Sequence, residues 1–180
     1  MRGKSHQLLG RYLADRYMST LPKRYVKAFL IGCIEPDRNP ATYLKGSLRH
    51  QWLRGHNWGN TRRYMQRTYS KLENRTKLIL PDYYRLGRLI HYTTDAFTSA
   101  HNEEFGSSLT DHREYEVALQ EHFLEYLSRN PEFWTDADHP VMETIQSYHR
   151  DYIRRPTNVH TDTRFAIIVC CMVLTRMFAQ

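Results

Sequence analysis

The sequence predicts an all-α protein of about seven helices in a single domain over residues 1–180. Three observations carry that prediction. Apolar residues recur at three- and four-residue intervals, with no sustained alternation of the kind a strand needs. Prolines at 22, 36 and 81 fall where helical patterns start or stop. The longest apolar run, Phe165 to Val173, is far short of the roughly 20 residues that span a bilayer and reads as a buried central helix.

Taken in order, the first helix is expected from after Ser5 to about Thr20, with Leu8, Leu9, Tyr12, Leu13 and Met18 as its apolar stripe. Pro22 opens a second helix through Tyr25, Val26, Phe29, Leu30 and Cys33, and Glu35-Pro36-Asp37 is expected to end it, leaving Asp37 where the chain leaves the core. Arg38 to Asn60, with Pro40, Gly46, Gly55 and Gly59, reads as irregular structure. A basic helix follows from Asn60 to Leu72. The fourth is expected from Pro81 to about Asn102, with Leu86, Leu89, Ile90, Phe97 and Ala100 on one side and His91 and Asp95 nearly opposite. Asp111 and Glu114 have the spacing of a capping box that starts a fifth helix with His112 in its first turn. Helices at about 138–154 and 161–178 complete the set.

At 180 residues the chain is long enough to bury a core without disulfides, and its apolar share of 41% is that of a folded globular protein. Cys33, Cys170 and Cys171 lie in apolar segments, and an odd count fits a reducing compartment. The polar start, Met-Arg-Gly-Lys-Ser-His-Gln, has no signal-peptide core, so a cytoplasmic location is expected. A net charge of +7 favours an anionic substrate or surface.

The chemistry concentrates between His91 and Glu116. His91 and Asp95 are four apart, as are His112 and Glu116, so each pair projects from one helix face. Imidazole and carboxylate donors without a nearby thiol suit Zn²⁺. On an ideal helix His101 lies about 240° and 9 Å beyond Asp95, too far to share the first ion comfortably, which makes it a candidate to join His112 and Glu116 at a second. Asp37 and His56 are the upstream candidates to complete the first ion, and His6 is the candidate for a third.

These residues, His-x3-Asp-x5-His, then His-x3-Glu, with Pro-Asp and Gly-His-Asn-Trp upstream, resemble the zinc-dependent phospholipase C and P1/S1 nuclease superfamily over roughly residues 6 to 116. The resemblance implies a helical fold around a trinuclear zinc cluster. It implies that Asp37, His56, His91 and Asp95 bind one zinc and His101, His112 and Glu116 a second, with Asp95 bridging. The family's third zinc uses a histidine matching His6 together with the amine and carbonyl of a first-residue tryptophan. This chain has Met1 there, and its backbone atoms stand in the same interval from His6. Glutamate at 116 is the choice of the phospholipase C branch.

The expected activity is therefore phosphodiester hydrolysis with two to three zinc ions, most simply of a phospholipid. Asp37 is the candidate to orient or deprotonate the water, and Arg38, Arg54, Arg62 and Arg63 are candidates to hold phosphate oxygens. Two alternatives remain: a P1/S1-like single-strand nuclease, and a non-catalytic basic helical module that binds nucleic acid or touches a membrane through the stretch from Arg62 to Lys77. His50, His122, His139, His149 and His160 are not expected to bind metal.

Overall fold

A computed structural model describes residues 1–44, 55–102, 109–129, 141–156 and 158–178, with the side chains of 109–112 outside the described set. Among the described residues the protein is all-helical, with seven α-helices and no strand: α1 (Gly3–Tyr17), α2 (Lys23–Arg38), α3 (Trp58–Glu73), α4 (Leu80–Ala96), α5 (Leu109–Ser128), α6 (Val141–Tyr152) and α7 (Val159–Phe178). Single 3-10 turns occupy Pro40–Thr42 and Ser99–His101. None of these helices is long and apolar enough to cross a membrane.

α4 is the centre of the bundle, with α2, α3 and α7 against it and α1 crossing α2, α5 and α7. Every residue from Leu89 to Ala96 is buried, so its polar side chains face protein rather than water. α7 buries the apolar run read from the sequence, including Ile167, Val169, Cys170, Cys171, Val173 and Leu174. The closest approach joins α2 to α4 through two glycines. A Cβ on Gly32 would lie 2.2 Å from the Tyr84 carbonyl oxygen, and one on Gly87 would lie 2.1 Å from that of Phe29. Only hydrogen fits at either crossing position.

Four helix ends differ from the sequence expectation in ways that bear on the site. Pro36 does not end α2, which runs on to Arg38 and carries Asp37 in its last turn. Proline disfavours helix in the residue before it, but local bonds outweigh that preference here: the Asn39 amide donates to the Glu35 carbonyl at 3.0 Å, and the Thr42 hydroxyl donates to the Pro36 carbonyl at 2.6 Å. α4 stops at Ala96 instead of continuing to Asn102, because buried Asp162 of α7 takes the Ser99 amide at 2.7 Å and the Ser99 hydroxyl at 2.8 Å. The Asn102 side-chain amide then donates to the Ala96 carbonyl at 3.2 Å and, at 3.0 Å, to the Thr98 carbonyl, which also takes the His101 amide at 2.9 Å. α5 starts at Leu109, so the expected Asp111–Glu114 cap falls inside it, with His112 in the opening turn. α1 also begins earlier than expected, at Gly3, which puts His6 within its first turn.

Candidate metal centre

Asp95 is the hub of a buried polar cluster, and its two oxygens face different neighbours. Oδ2 lies 3.1 Å from His91 Nε2 and 3.0 Å from His56 Nδ1. Oδ1 lies 3.1 Å from His6 Nε2, 2.9 Å from the Met1 amine and 3.5 Å from His101 Nε2. Asp37 approaches the first group from the end of α2, with Oδ1 3.7 Å from both His56 Nδ1 and His91 Nε2. Glu116 approaches the second from α5, with Oε1 3.3 Å from the Met1 amine and 3.7 Å from His101 Nε2. The Met1 amine also contacts His101 Nε2 directly.

Five separate segments meet at this point. The 3-10 turn after α4 is what returns His101 to Asp95, where an uninterrupted helix would have carried it away. Gly55 brings His56 in, since a Cβ there would lie 2.0 Å from the Thr42 carbonyl oxygen. The His112 side chain lies outside the described residues, as do Arg54, Glu103 and Glu104. Arg38 is exposed on the last turn of α2, and Arg62 and Arg63 lie on the exposed face of α3. His149 and His122 are placed elsewhere, the first bonded to Asn102 and the second beside His160.

The imidazoles are oriented by groups behind them. His91 Nδ1–H donates to the Cys33 carbonyl at 2.9 Å, so Nε2 presents a lone pair. The Thr42 hydroxyl has one proton, and carbonyls at Pro36 (2.6 Å) and Asn39 (2.7 Å) compete for it. It therefore accepts from His56 Nε2–H at 3.1 Å and leaves Nδ1 as a lone pair. His91 Nε2 and His56 Nδ1 stand 3.2 Å apart, both aimed at a carboxylate oxygen. Three converging lone pairs repel one another unless a cation lies among them, which is the donor chemistry of a zinc site. The buried Asp37 Oδ2, which has no hydrogen-bond partner, adds a further acceptor. Two sets of donor atoms fall within 4.8 Å of one another: His6, His91 and Asp95, and Asp37, His56 and His91.

Electrostatics supports the same reading. Burial alone would raise the Asp95 carboxyl, but His101, the Met1 amine, His6 and His91 hold it well below the usual carboxylate range. Burial, reinforced by His91 beside it, lowers His6 to about 4, so the ring is neutral near pH 7, as metal ligation requires. Burial also lowers His101, against the pull of Asp95. Burial works to lower the Met1 amine too, yet Asp95 and Glu116 outweigh it and hold the amine above its ordinary value. That amine is the local cation on the Oδ1 side.

Residues 5–166 match the sequence family described as zinc-dependent phospholipase C. The chain belongs to that family. No curated protein and no solved structure matches it. For a zinc-dependent phospholipase C relative, the supports behind the donors are the part that sequence reasoning missed. Cys33 acts through its backbone carbonyl, and Thr42 and Tyr43 flank His56, with the Tyr43 ring stacked on it at 4.4 Å. Asp162 accepts from Ser99, two residues before His101, and at 2.8 Å from Tyr115, next to Glu116. It also accepts from Tyr152 at 2.6 Å. Proline in Glu35-Pro36-Asp37 drew attention to Asp37 but carried no signal for Thr42.

Proposed function

We propose that this chain hydrolyses the phosphodiester bond of a phospholipid, with two to three zinc ions held around Asp95. The observation that supports this most directly is the division of the Asp95 carboxylate, one oxygen facing His56 and His91 and the other facing His6, His101 and the Met1 amine. In this reading Asp37, His56, His91 and Asp95 hold one ion, and His101, His112, Glu116 and Asp95 hold a second. His6 and the Met1 backbone, with Asp95, hold a third. Bound zinc supplies positive charge that neutralises phosphate and makes a water acidic enough to lose its proton near neutral pH.

The remaining chemistry belongs to the side chains. Tyr43 donates its hydroxyl to Asp37 Oδ1 at 3.4 Å, which leaves Oδ2 to accept a proton from water. Burial, aided by Asp37 and Asp95, raises the Tyr43 phenol, so it stays a donor throughout the neutral range. Asp37 and Glu116 are the partly exposed carboxylates of the set, whereas Asp95 is fully buried.

Elemental analysis of protein purified without chelator, paired with hydrolysis of phospholipids and of single-stranded DNA and RNA over one pH range, tests the proposal. At least two zinc equivalents and faster phospholipid cleavage are expected. Less than one equivalent of metal removes the catalytic reading in favour of a binding module. Faster nucleic-acid cleavage assigns the site to the nuclease branch. Blocking the Met1 amine should weaken one zinc and leave the others bound.

A further inference from the structure

A cavity of about 370 Å³ opens between α3 and α6, lined by none of the candidate metal donors. Trp58, Arg62 and Gln66 line it from α3 at four-residue intervals, with Arg63 at their flank, and Gln146 and Arg150 line it from α6 at the same interval. No carboxylate lines it among the described residues. None of the three arginines is in an ion pair with a described residue, although Arg75, Arg85, Arg88, Arg129 and Arg176 all are. Three guanidinium groups and two side-chain amides therefore converge on one concave space with their donors uncommitted.

One wall of the cavity is linked to the candidate metal donors. The Trp58 indole stacks on the His149 ring at 4.2 Å and 13°, bridging the two helices. Trp58 follows His56 by two residues, and His149 Nε2–H donates at 3.0 Å to Oδ1 of Asn102, which follows His101. The cavity is thereby tied, through one hydrogen bond and two short chain segments, to two of the candidate donors.

We propose that the cavity between α3 and α6 is a phosphomonoester site that takes the headgroup of an anionic membrane lipid and seats the metal centre at the bilayer surface. The proposal rests on the phospholipid reading above. A phosphate monoester carries a charge of about −1.5 to −2 and three acceptor oxygens, which suits forked arginine donors better than a singly charged diester does. Two features favour a headgroup over a nucleic-acid strand. One Trp58 face is already covered by His149, which leaves less of the ring for a base to stack on, and Trp58 is an amphipathic ring of the kind that settles at a membrane boundary.

The test uses zinc-loaded full-length protein and sedimentation with three vesicle types: phosphatidylcholine alone, phosphatidylcholine with phosphatidylserine, and phosphatidylcholine with phosphatidic acid. Binding is expected to be tightest with phosphatidic acid and to be competed by inorganic phosphate. Arg62→Gln and Arg150→Gln should each weaken it about fivefold, with partial recovery in Arg62→Lys and Arg150→Lys. Both positions are exposed, so the unfolding midpoint and zinc content should not change, and Arg150→Gln, outside the residues named for the substrate phosphate, should keep turnover of a soluble short-chain phospholipid. Equal binding to phosphatidic acid and phosphatidylserine vesicles overturns the proposal, as does unchanged binding in both glutamine variants. Tighter binding of single-stranded RNA that the same variants abolish overturns it in favour of a nucleic-acid groove. Because sedimentation needs no turnover, loss of the hydrolase reading alone leaves this result standing.

Discussion

His91 Nδ1 donates to the backbone carbonyl of Cys33 at 2.9 Å, which locks the ring so that Nε2 points at Asp95 Oδ2, 3.1 Å away. The bond exists because α2 and α4 touch at Gly32 and Gly87, the residue before Cys33 and a residue one turn before His91. The orientation of this candidate metal donor is thus a consequence of helix packing.

Asp95→Asn should be the most damaging single change. The amide keeps the shape but removes the charge that His101, the Met1 amine, His6 and His91 surround, and an amide nitrogen would face donors on one side. Zinc content should fall by more than one equivalent and hydrolysis by at least about 100-fold. Metal analysis of the variant beside the parent checks this. Full zinc retention would remove Asp95 from the bridging position.

Thr42→Val tests the group behind His56. Valine keeps the volume but cannot accept from His56 Nε2–H, so the ring is free to turn or to change tautomer. Zinc affinity measured by chelator competition should drop by roughly 10- to 100-fold while the helical circular dichroism stays the same. An unchanged affinity would mean that the Tyr43 stack alone holds the ring.

Asp162→Asn tests the tie between α7 and the second donor group. The carboxylate accepts from Ser99, Tyr115 and Tyr152, and asparagine loses one acceptor oxygen. The 3-10 turn that presents His101 should loosen. Zinc bound by His101 and Glu116 is expected to weaken by about 10-fold or more, with zinc at His56 and His91 kept. A uniform loss of all zinc together with helical signal would instead mark Asp162 as purely structural.

Acidification of the metal-free protein should destabilise it between about pH 6.5 and 4. His6 and His149 both drop from 6.5 to about 4 on folding, each chiefly through burial. In that window the unfolded chain takes up protons that the folded one refuses, so stability rises with pH and is complete above 6.5. The Met1 amine has the opposite sign: its folded value is raised above 8.0, so its contribution is full below 8.0 and is lost as pH rises further. Denaturant midpoints should peak between these limits. His149→Gln, outside the donor set, should flatten the acid limb.

Much of this was legible because it is local. The four-residue spacing of His91 and Asp95 placed both on one face of α4, and Gly-His-Asn-Trp picked out His56; the glycine before it proves necessary through its 2.0 Å approach to Thr42. What failed was set by distant partners. Asp162 lies 63 residues from Ser99, and no periodicity in α4 announces that it will end the helix there. Pro36 has the local signature of a terminator, but a hydroxyl six residues later holds the turn together. Cys33 looked like a core residue and is one, yet its carbonyl does the orienting, and a backbone group leaves no mark in the sequence.

Gly87→Ala joins fold to site in one measurement. The added carbon would lie 2.1 Å from the Phe29 carbonyl oxygen and 2.8 Å from the Cys33 amide nitrogen, and backbone cannot swing aside as a side chain can. Alanine gains up to about 1 kcal/mol of helix propensity, but the forced separation of α2 and α4 costs about 1–3 kcal/mol or more, so a net loss of stability is expected. Moving α2 outward also lengthens the Cys33–His91 bond, and zinc affinity should fall with stability. Gly10→Ala is the comparison, since its new carbon meets the Cys33 side chain at 3.2 and 3.3 Å and the end of Leu30 at 3.4 Å, contacts that can relax by a few tenths of an ångström. Urea unfolding and chelator competition on both variants should show Gly87→Ala weakened in both assays and Gly10→Ala near the parent in each. If Gly87→Ala loses stability but keeps full zinc affinity, the helix crossing does not set the His91 geometry.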